Sequence, residues 1–152
     1  MDTVRVRWNG NRQFVGWDEA GHGVVMDAPA AYKGEGAGPR PVELVLYALA
    51  ACTGMDVVSI LEKKRQPFTG VEIVVGGTQR EDDYPHYYEE VTLEYVVTGH
   101  GVDPAAVERA IELSEEKYCS VKGMFGPQVV VTASFRIVED GGAGGPAAAE
   151  EG

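Results

Sequence analysis

The chain is poor in the residues that give small proteins a covalent or metal scaffold, with two cysteines and three histidines among 152 residues. Cys52 and Cys119 stand 67 positions apart, which is not a disulfide-dense secreted framework. In a reducing compartment both are thiols, and any bridge between them is transient and chemical rather than structural. His22, His86 and His100 fall in separate turns without ligand spacing, which argues against a metal site. Positive charge is scarce as well: 13 basic residues face 24 acidic ones, for a net charge of −11. Part of that excess belongs to the segment "EDGGAGGPAAAEEG", and residues 1–138 carry −7. Such a balance excludes long-range attraction to nucleic acid or anionic lipid. The start, "MDTVRVRWNGNR", places charges where a secretory signal needs an apolar core. No hydrophobic run is read as approaching bilayer length, so a soluble cytoplasmic protein without membrane contact is expected.

What the sequence does contain is enough for one core, because 44% of its residues are hydrophobic. Residues 3–8 alternate as a strand, "NGNR" turns into a second near 13–17, and "EAGHG" turns into a third near 24–27. Residues 29–41 form a loop rich in glycine and proline, with no apolar period of its own. Pro41 opens a helix that runs to about Arg65, where Lys63, Lys64 and Arg65 suit its negative end and Pro67 forbids continuation. Strands follow near 71–78 and 90–98. Asp103 then caps a second helix whose first residue is Pro104 and which reaches about Tyr118, and residues 128–138 form a last strand. The segment 139–152 reads as a disordered acidic tail rich in glycine and alanine, outside a single domain spanning 1–138.

The two helices differ. The second alternates Val107, Ile111 and Leu113 with Glu108, Arg109, Glu112, Glu115 and Glu116, as a surface helix does. The first shows no polar face between Leu44 and Met55, so it is expected to be buried all round. A domain this small does not wrap a helix completely, and a second copy of the chain is the natural cover. Cys52 lies in that apolar stretch beside Ala50 and Ala51, where a cysteine also serves as a small hydrophobe. Cys119 ends the polar helix. A thiolate at a helix C-terminus is disfavoured by the dipole and a mid-helix thiolate is not, although Lys117 and Lys122 oppose that effect at Cys119. Of the two, Cys52 is the better nucleophile and Cys119 the better resolving partner.

The segments "VRWNGNRQFVGWDEAGHGVVMDAP", "RPVELVLYALAACTGMDVVSILEKKR", "VEIVVGGTQRED" and "VTLEYVVTGHGVDPAAVERAIELSEEKYCSV" resemble, in order and spacing, the OsmC/Ohr family of thiol peroxidases. The resemblance is to the broad OsmC-like branch rather than to the organic hydroperoxide resistance enzymes. It implies an α+β fold in which curved antiparallel sheets enclose a long central helix and a second helix, assembled as an intertwined homodimer with active sites at the interface. It also implies a two-cysteine peroxidase for organic hydroperoxides. Cys52 would be oxidised to a sulfenic acid, Cys119 would close the disulfide, an external dithiol would reduce it, and no metal or organic cofactor would be needed.

The family pairs its reactive cysteine with an arginine and with a glutamate directly after the helix-opening proline. That position is Val42 here, and the acid is Glu43. Nine residues at about 100° each set Glu43 half a turn from Cys52, so its reach is to the other subunit's site. Asp56 does share the face of Cys52. Arg40, Arg12 and Lys33 are the candidate activating cations, with Arg40 and Glu43 set beside the cysteines as catalytic candidates. The alternative reading is an OsmC-like protein that keeps the fold to bind a small hydrophobic ligand or to sense redox state.

Overall fold

Alternating side chains at the N-terminus form a three-stranded antiparallel meander of β1 (Val4–Trp8), β2 (Phe14–Asp18) and β3 (Gly23–Met26). Val4 lies opposite Asp18 and Trp8 opposite Phe14, so the register closes on the turn at 9–13. Gly10 and Asn11 there have φ of +103° and +44°. These are residue types that tolerate a left-handed backbone. The computed structural model describes residues 1–140. Its contacts divide into two compact units, Met1–Ala48 and the part from Leu49 onward.

The glycine-rich loop of the first unit has an organising centre that its composition does not reveal. Asp27 is almost fully buried, and its carboxylate accepts the backbone N–H groups of Ala28, Glu35 and Ala37 at 2.8–3.1 Å. The loop therefore folds around one charge, with a 3₁₀ turn at Ala30–Tyr32 inside it. A Cβ on Gly34 would lie 1.8 Å from the Ala28 carbonyl oxygen, which is why that position has no side chain.

α1 (Pro41–Lys63) begins with Pro41 at its first position and ends in a Schellman motif. The Gln66 N–H bonds to the Leu61 carbonyl, the Arg65 N–H to that of Glu62, and Arg65 takes the left-handed φ of +53°. β4 (Phe68–Gln79), β5 (Tyr88–Gly99) and β6 (Val130–Glu139) form the second sheet in the order β4-β5-β6. β5 is central and the most buried strand, with Val91, Leu93, Tyr95 and Val97 at 0–1% exposure.

Four expectations need correction. The second sheet is mixed rather than wholly antiparallel: β5 and β6 run parallel, because their connection crosses over through α2 (Pro104–Leu113). α1 is not buried all round within its own chain. It buries a narrow stripe of Leu49, Thr53, Val57 and Leu61, one turn apart, while Met55 is 73% exposed. An apolar run of bilayer length does exist, since α1 is long and apolar enough by length and composition, a test that core helices of soluble proteins also pass. β6 includes Glu139, and Asp140 donates its N–H to the Gly99 carbonyl. The remainder of the expected tail, 141–152, lies outside the described residues.

The Asp27 hub carries a prediction. Its backbone N–H partners, Ala37 foremost, hold the Asp27 carboxyl below its ordinary pKa. Stability from a depressed carboxylate is present above the unfolded pKa and lost as pH falls through the folded one. Protection of the Ala28, Glu35 and Ala37 amides, taken relative to the intrinsic exchange rate at each pH, should therefore fall in acid, and Asp27→Asn should reproduce the loss at neutral pH. Unchanged protection in the variant would rule out the hub.

Candidate functional site

Cys52 and Asp56 occupy successive turns of α1, half-buried and on one face. Cys119 reaches the same place from the end of α2. The Cys52 sulfur, the Cys119 sulfur and a carboxylate oxygen of Asp56 all lie within 4.8 Å of one another. The second helix delivers Cys119 through a feature absent from the sequence reading, which ran a regular helix to Tyr118. α2 stops at Leu113, and Ser114–Tyr118 form a π-helical turn, closed by a 2.8 Å bond from the Cys119 N–H to the Ser114 carbonyl. Such single wide turns recur at functional sites because the inserted residue re-aims its neighbours.

A buried chain of hydroxyls holds this corner. The Tyr95 hydroxyl lies 2.6 Å from Thr53 Oγ1, which lies 2.9 Å from Ser114 Oγ, and Ser114 Oγ donates to Asp56 Oδ2 at 2.8 Å. Each hydroxyl has one proton and the terminal carboxylate only accepts. Satisfying every link therefore orients the chain one way, from Tyr95 through Thr53 and Ser114 to Asp56. Tyr95, Thr53 and Ser114 are at most 1% exposed. Burial pushes the Tyr95 hydroxyl pKa up to about 12, with the negative charges of Glu115, Cys119 and Asp56 adding to it.

The two thiols differ in their surroundings. Cys119 is buried and Cys52 half-exposed. Burial is the main cause that raises the Cys119 pKa, and the neighbouring Cys52 raises it further. The Lys122 backbone N–H, 3.4 Å from the Cys119 sulfur, acts in the opposite direction. Lys122 Nζ itself binds Glu115 Oε2 at 3.0 Å, while Glu115 Oε1 is buried with no hydrogen-bond partner among the described residues. Beside Asp56 a groove of about 330 Å³ is lined by Ser59, Ile60, Lys63, Leu113 and Tyr118.

The other candidates belong to the first unit. Glu43 stands three residues after Arg40, the residue before the first turn of α1. It accepts the Arg40 backbone N–H and the Arg40 Nε, both at 2.9 Å. The first contact is the reach-back half of a capping box, and the carboxylate also suits the positive end of the helix. Hydrogen bonds from the Arg40 backbone and side chain hold the Glu43 carboxyl below its ordinary pKa. Arg12 bonds the Asn11 carbonyl in the β1–β2 turn, and Lys33 takes a left-handed backbone after the 3₁₀ turn. The sequence reading missed Thr53, Ser114 and Tyr95. A threonine inside an apolar helix was the one local sign of them.

The hydroxyl chain predicts graded losses. Thr53→Val leaves both Tyr95 and Ser114 without their shared partner and should cost about 1–3 kcal/mol of unfolding free energy, more than Tyr95→Phe. Because the Tyr95 pKa is raised in the folded state, its share of stability persists below the ordinary tyrosine pKa. That share should fall as pH rises from there through about 12. Chemical denaturation of the two variants, with a pH series on the wild type, checks both; equal stabilities would dismiss the network.

Comparison with known proteins sets this geometry among relatives. A family model described as OsmC-like protein matches residues 34–134. Protein YhfA of Escherichia coli is 39% identical over 135 residues, covering 89% of this chain and 97% of that one. A hypothetical protein from Aquifex aeolicus, of known crystal structure, is 31% identical with a TM-score of 0.80, covering 92% and 98%. The organic hydroperoxide resistance protein OhrB of Bacillus subtilis shares the fold at a TM-score of 0.61 and 18% identity, covering 90% and 98%. By the family match over most of its length and the similarity to YhfA, the chain belongs to the OsmC-like family.

Proposed function

We propose that the protein is a thiol-dependent peroxidase of organic hydroperoxides, acting in the cytoplasm as a homodimer. The observation that carries this reading is the placement of two thiols within 4.8 Å at the meeting of α1 and the π turn, in a family whose fold is shared by hydroperoxide resistance proteins. The Cys52 thiolate attacks one peroxide oxygen. The O–O bond breaks, the alkoxide takes a proton and leaves as alcohol, and Cys52 becomes a sulfenic acid. The Cys119 sulfur then attacks the Cys52 sulfur, a disulfide forms, and the sulfenic oxygen departs with two protons as water. An external dithiol restores both thiols by exchange. Cys52 suits the first step because it is half-exposed, and Cys119 suits the second because burial keeps it protonated until a sulfenic acid stands beside it. The organic group of the substrate occupies the groove at Ile60, Leu113 and Tyr118, where burial of apolar surface favours an alkyl peroxide over hydrogen peroxide. Arg40, steadied by Glu43, is assigned as the cation that favours the Cys52 thiolate of the opposite subunit.

The dimer is supported by apolar surface that the single chain leaves open. Val4, Val6 and Trp8 of β1 are 56–68% exposed, and Tyr47 and Met55 of α1 are 64% and 73% exposed. An apolar helix with only a stripe buried is the signature of a face that a second subunit covers.

Purified protein should consume cumene hydroperoxide in the presence of a dithiol. Cys52→Ser should abolish turnover, and Cys119→Ser should stall as a sulfenic acid that dimedone traps. Wild type as inactive as Cys52→Ser would end the peroxidase reading and leave ligand binding as the use of the groove. Sedimentation should show a dimer, and Met55→Lys should shift it to monomer. A monomeric wild type would remove the subunit boundary on which the Arg40 assignment rests.

A further inference from the structure

The cage around the two sulfurs is also a ligand set. Two thiols and a carboxylate oxygen within 4.8 Å of one another come from two elements of the chain, α1 and the π turn. Tetrahedral zinc takes sulfur at about 2.3 Å and carboxylate oxygen at about 2.0–2.2 Å, which puts ligand atoms about 3.5–3.8 Å apart. Small side-chain rotations close that difference. Beyond the three ligands, the site has the outer support that metal centres need. Asp56 Oδ2 accepts from Ser114 Oγ, a fully buried hydroxyl fixed by Thr53 and Tyr95, which holds the carboxylate in orientation. The Lys122 backbone N–H points at the Cys119 sulfur at 3.4 Å, a donor placed to stabilise a metal-bound thiolate. Local charge agrees: the cage holds Asp56 and two ionisable thiols, and the Lys122 ammonium is already paired with Glu115.

We propose that, in its reduced state, the protein binds one thiophilic divalent cation such as Zn²⁺ per chain through Cys52, Cys119 and Asp56, with solvent at the fourth position. Binding exchanges the two thiol protons, released to solvent, for the metal. Forming the Cys52–Cys119 disulfide removes two of the three ligands and expels it. The cation acts as a guard on the reduced thiols and competes with peroxide for Cys52. It is not a participant in the peroxidase cycle. Metal binding is read without peroxide and so stands or falls separately from the peroxidase reading.

The test is a Co²⁺ titration of the reduced full chain in phosphine reductant, reading thiolate-to-cobalt charge-transfer absorption, followed by Zn²⁺ displacement against a chromophoric chelator. One equivalent per chain is expected. Cys52→Ser and Cys119→Ser should lose the charge-transfer band or halve its intensity, Asp56→Asn should weaken binding by about tenfold or more, and diamide-oxidised protein should take up no metal. Because a cysteine variant can misfold, the wild type also supplies a readout that needs no substitution: Zn²⁺ should slow alkylation of both Cys52 and Cys119, mapped by mass spectrometry, and chelator should restore it. Reduced wild type with no charge-transfer band, or Zn²⁺ that leaves both alkylation rates unchanged, overturns the site. Cumene hydroperoxide turnover measured in chelator is unaffected by that result, so the failure of one reading is distinguishable from failure of the other.

Discussion

The candidate site depends on a carboxylate that the interior holds in place. Asp56 terminates a one-way chain of hydroxyls from Tyr95 on β5, through Thr53 on α1, to Ser114 at the start of the π turn. Those three residues come from the central strand and from the two helical segments that carry the cysteines. Wherever Asp56 is held, Cys52, one turn earlier on the same face, is held too. Wherever Ser114 is held, the π turn that ends at Cys119 is anchored. A buried hydroxyl without a partner costs more than an apolar replacement would. The network therefore specifies how α1 and the π turn meet, and an arrangement that slid either one would strand at least one hydroxyl.

The fold was largely legible because its main elements obey local rules. Alternation marked the strands, Pro41 and Pro104 marked both helix starts, and Pro67 marked the stop before β4. What escaped the sequence required partners distant along the chain. Nothing near Tyr95 says that its hydroxyl meets Thr53, 42 residues earlier. Nothing near Ser114 says that the helix must widen there, since "SEEKY" has ordinary helix-forming residues and the π turn follows from satisfying Ser114 and Cys119 together. The parallel pairing of β5 with β6 is likewise a consequence of the crossover through α2, which strand alternation does not encode. Asp27 shows the same limit in the first unit: a single acid orders a loop that reads as structureless.

Both cysteines were visible, together with Asp56 on the face of Cys52, because helical spacing is a local property. Glu43 was visible for a different reason and carries a different weight. Its place three residues after Arg40 makes it part of the helix start, where it takes the Arg40 backbone N–H and steadies the guanidinium. That a glutamate follows a helix-opening proline by two positions rather than one is thus sufficient for capping. The same contact holds the Arg40 guanidinium against the helix entry, which limits where that cation can travel.

The electrostatics of the cage decide what each thiol can do. Asp56 lies within 4.8 Å of both sulfurs, and nearby the Glu115 carboxylate is paired with the Lys122 ammonium. A thiolate at Cys119 would form away from water and beside a second ionisable sulfur, and burial is the main cause that raises its pKa. The two cations proposed for the cage, an Arg40 guanidinium from a second subunit and a divalent metal between the sulfurs, would both favour a Cys52 thiolate, with opposite results. The guanidinium leaves the sulfur lone pair free to attack an O–O bond, whereas the metal occupies it. In the proposed cycle the buried Cys119 stays protonated and uncharged until it meets a Cys52 sulfenic acid, and the disulfide they form leaves no charge in that place either.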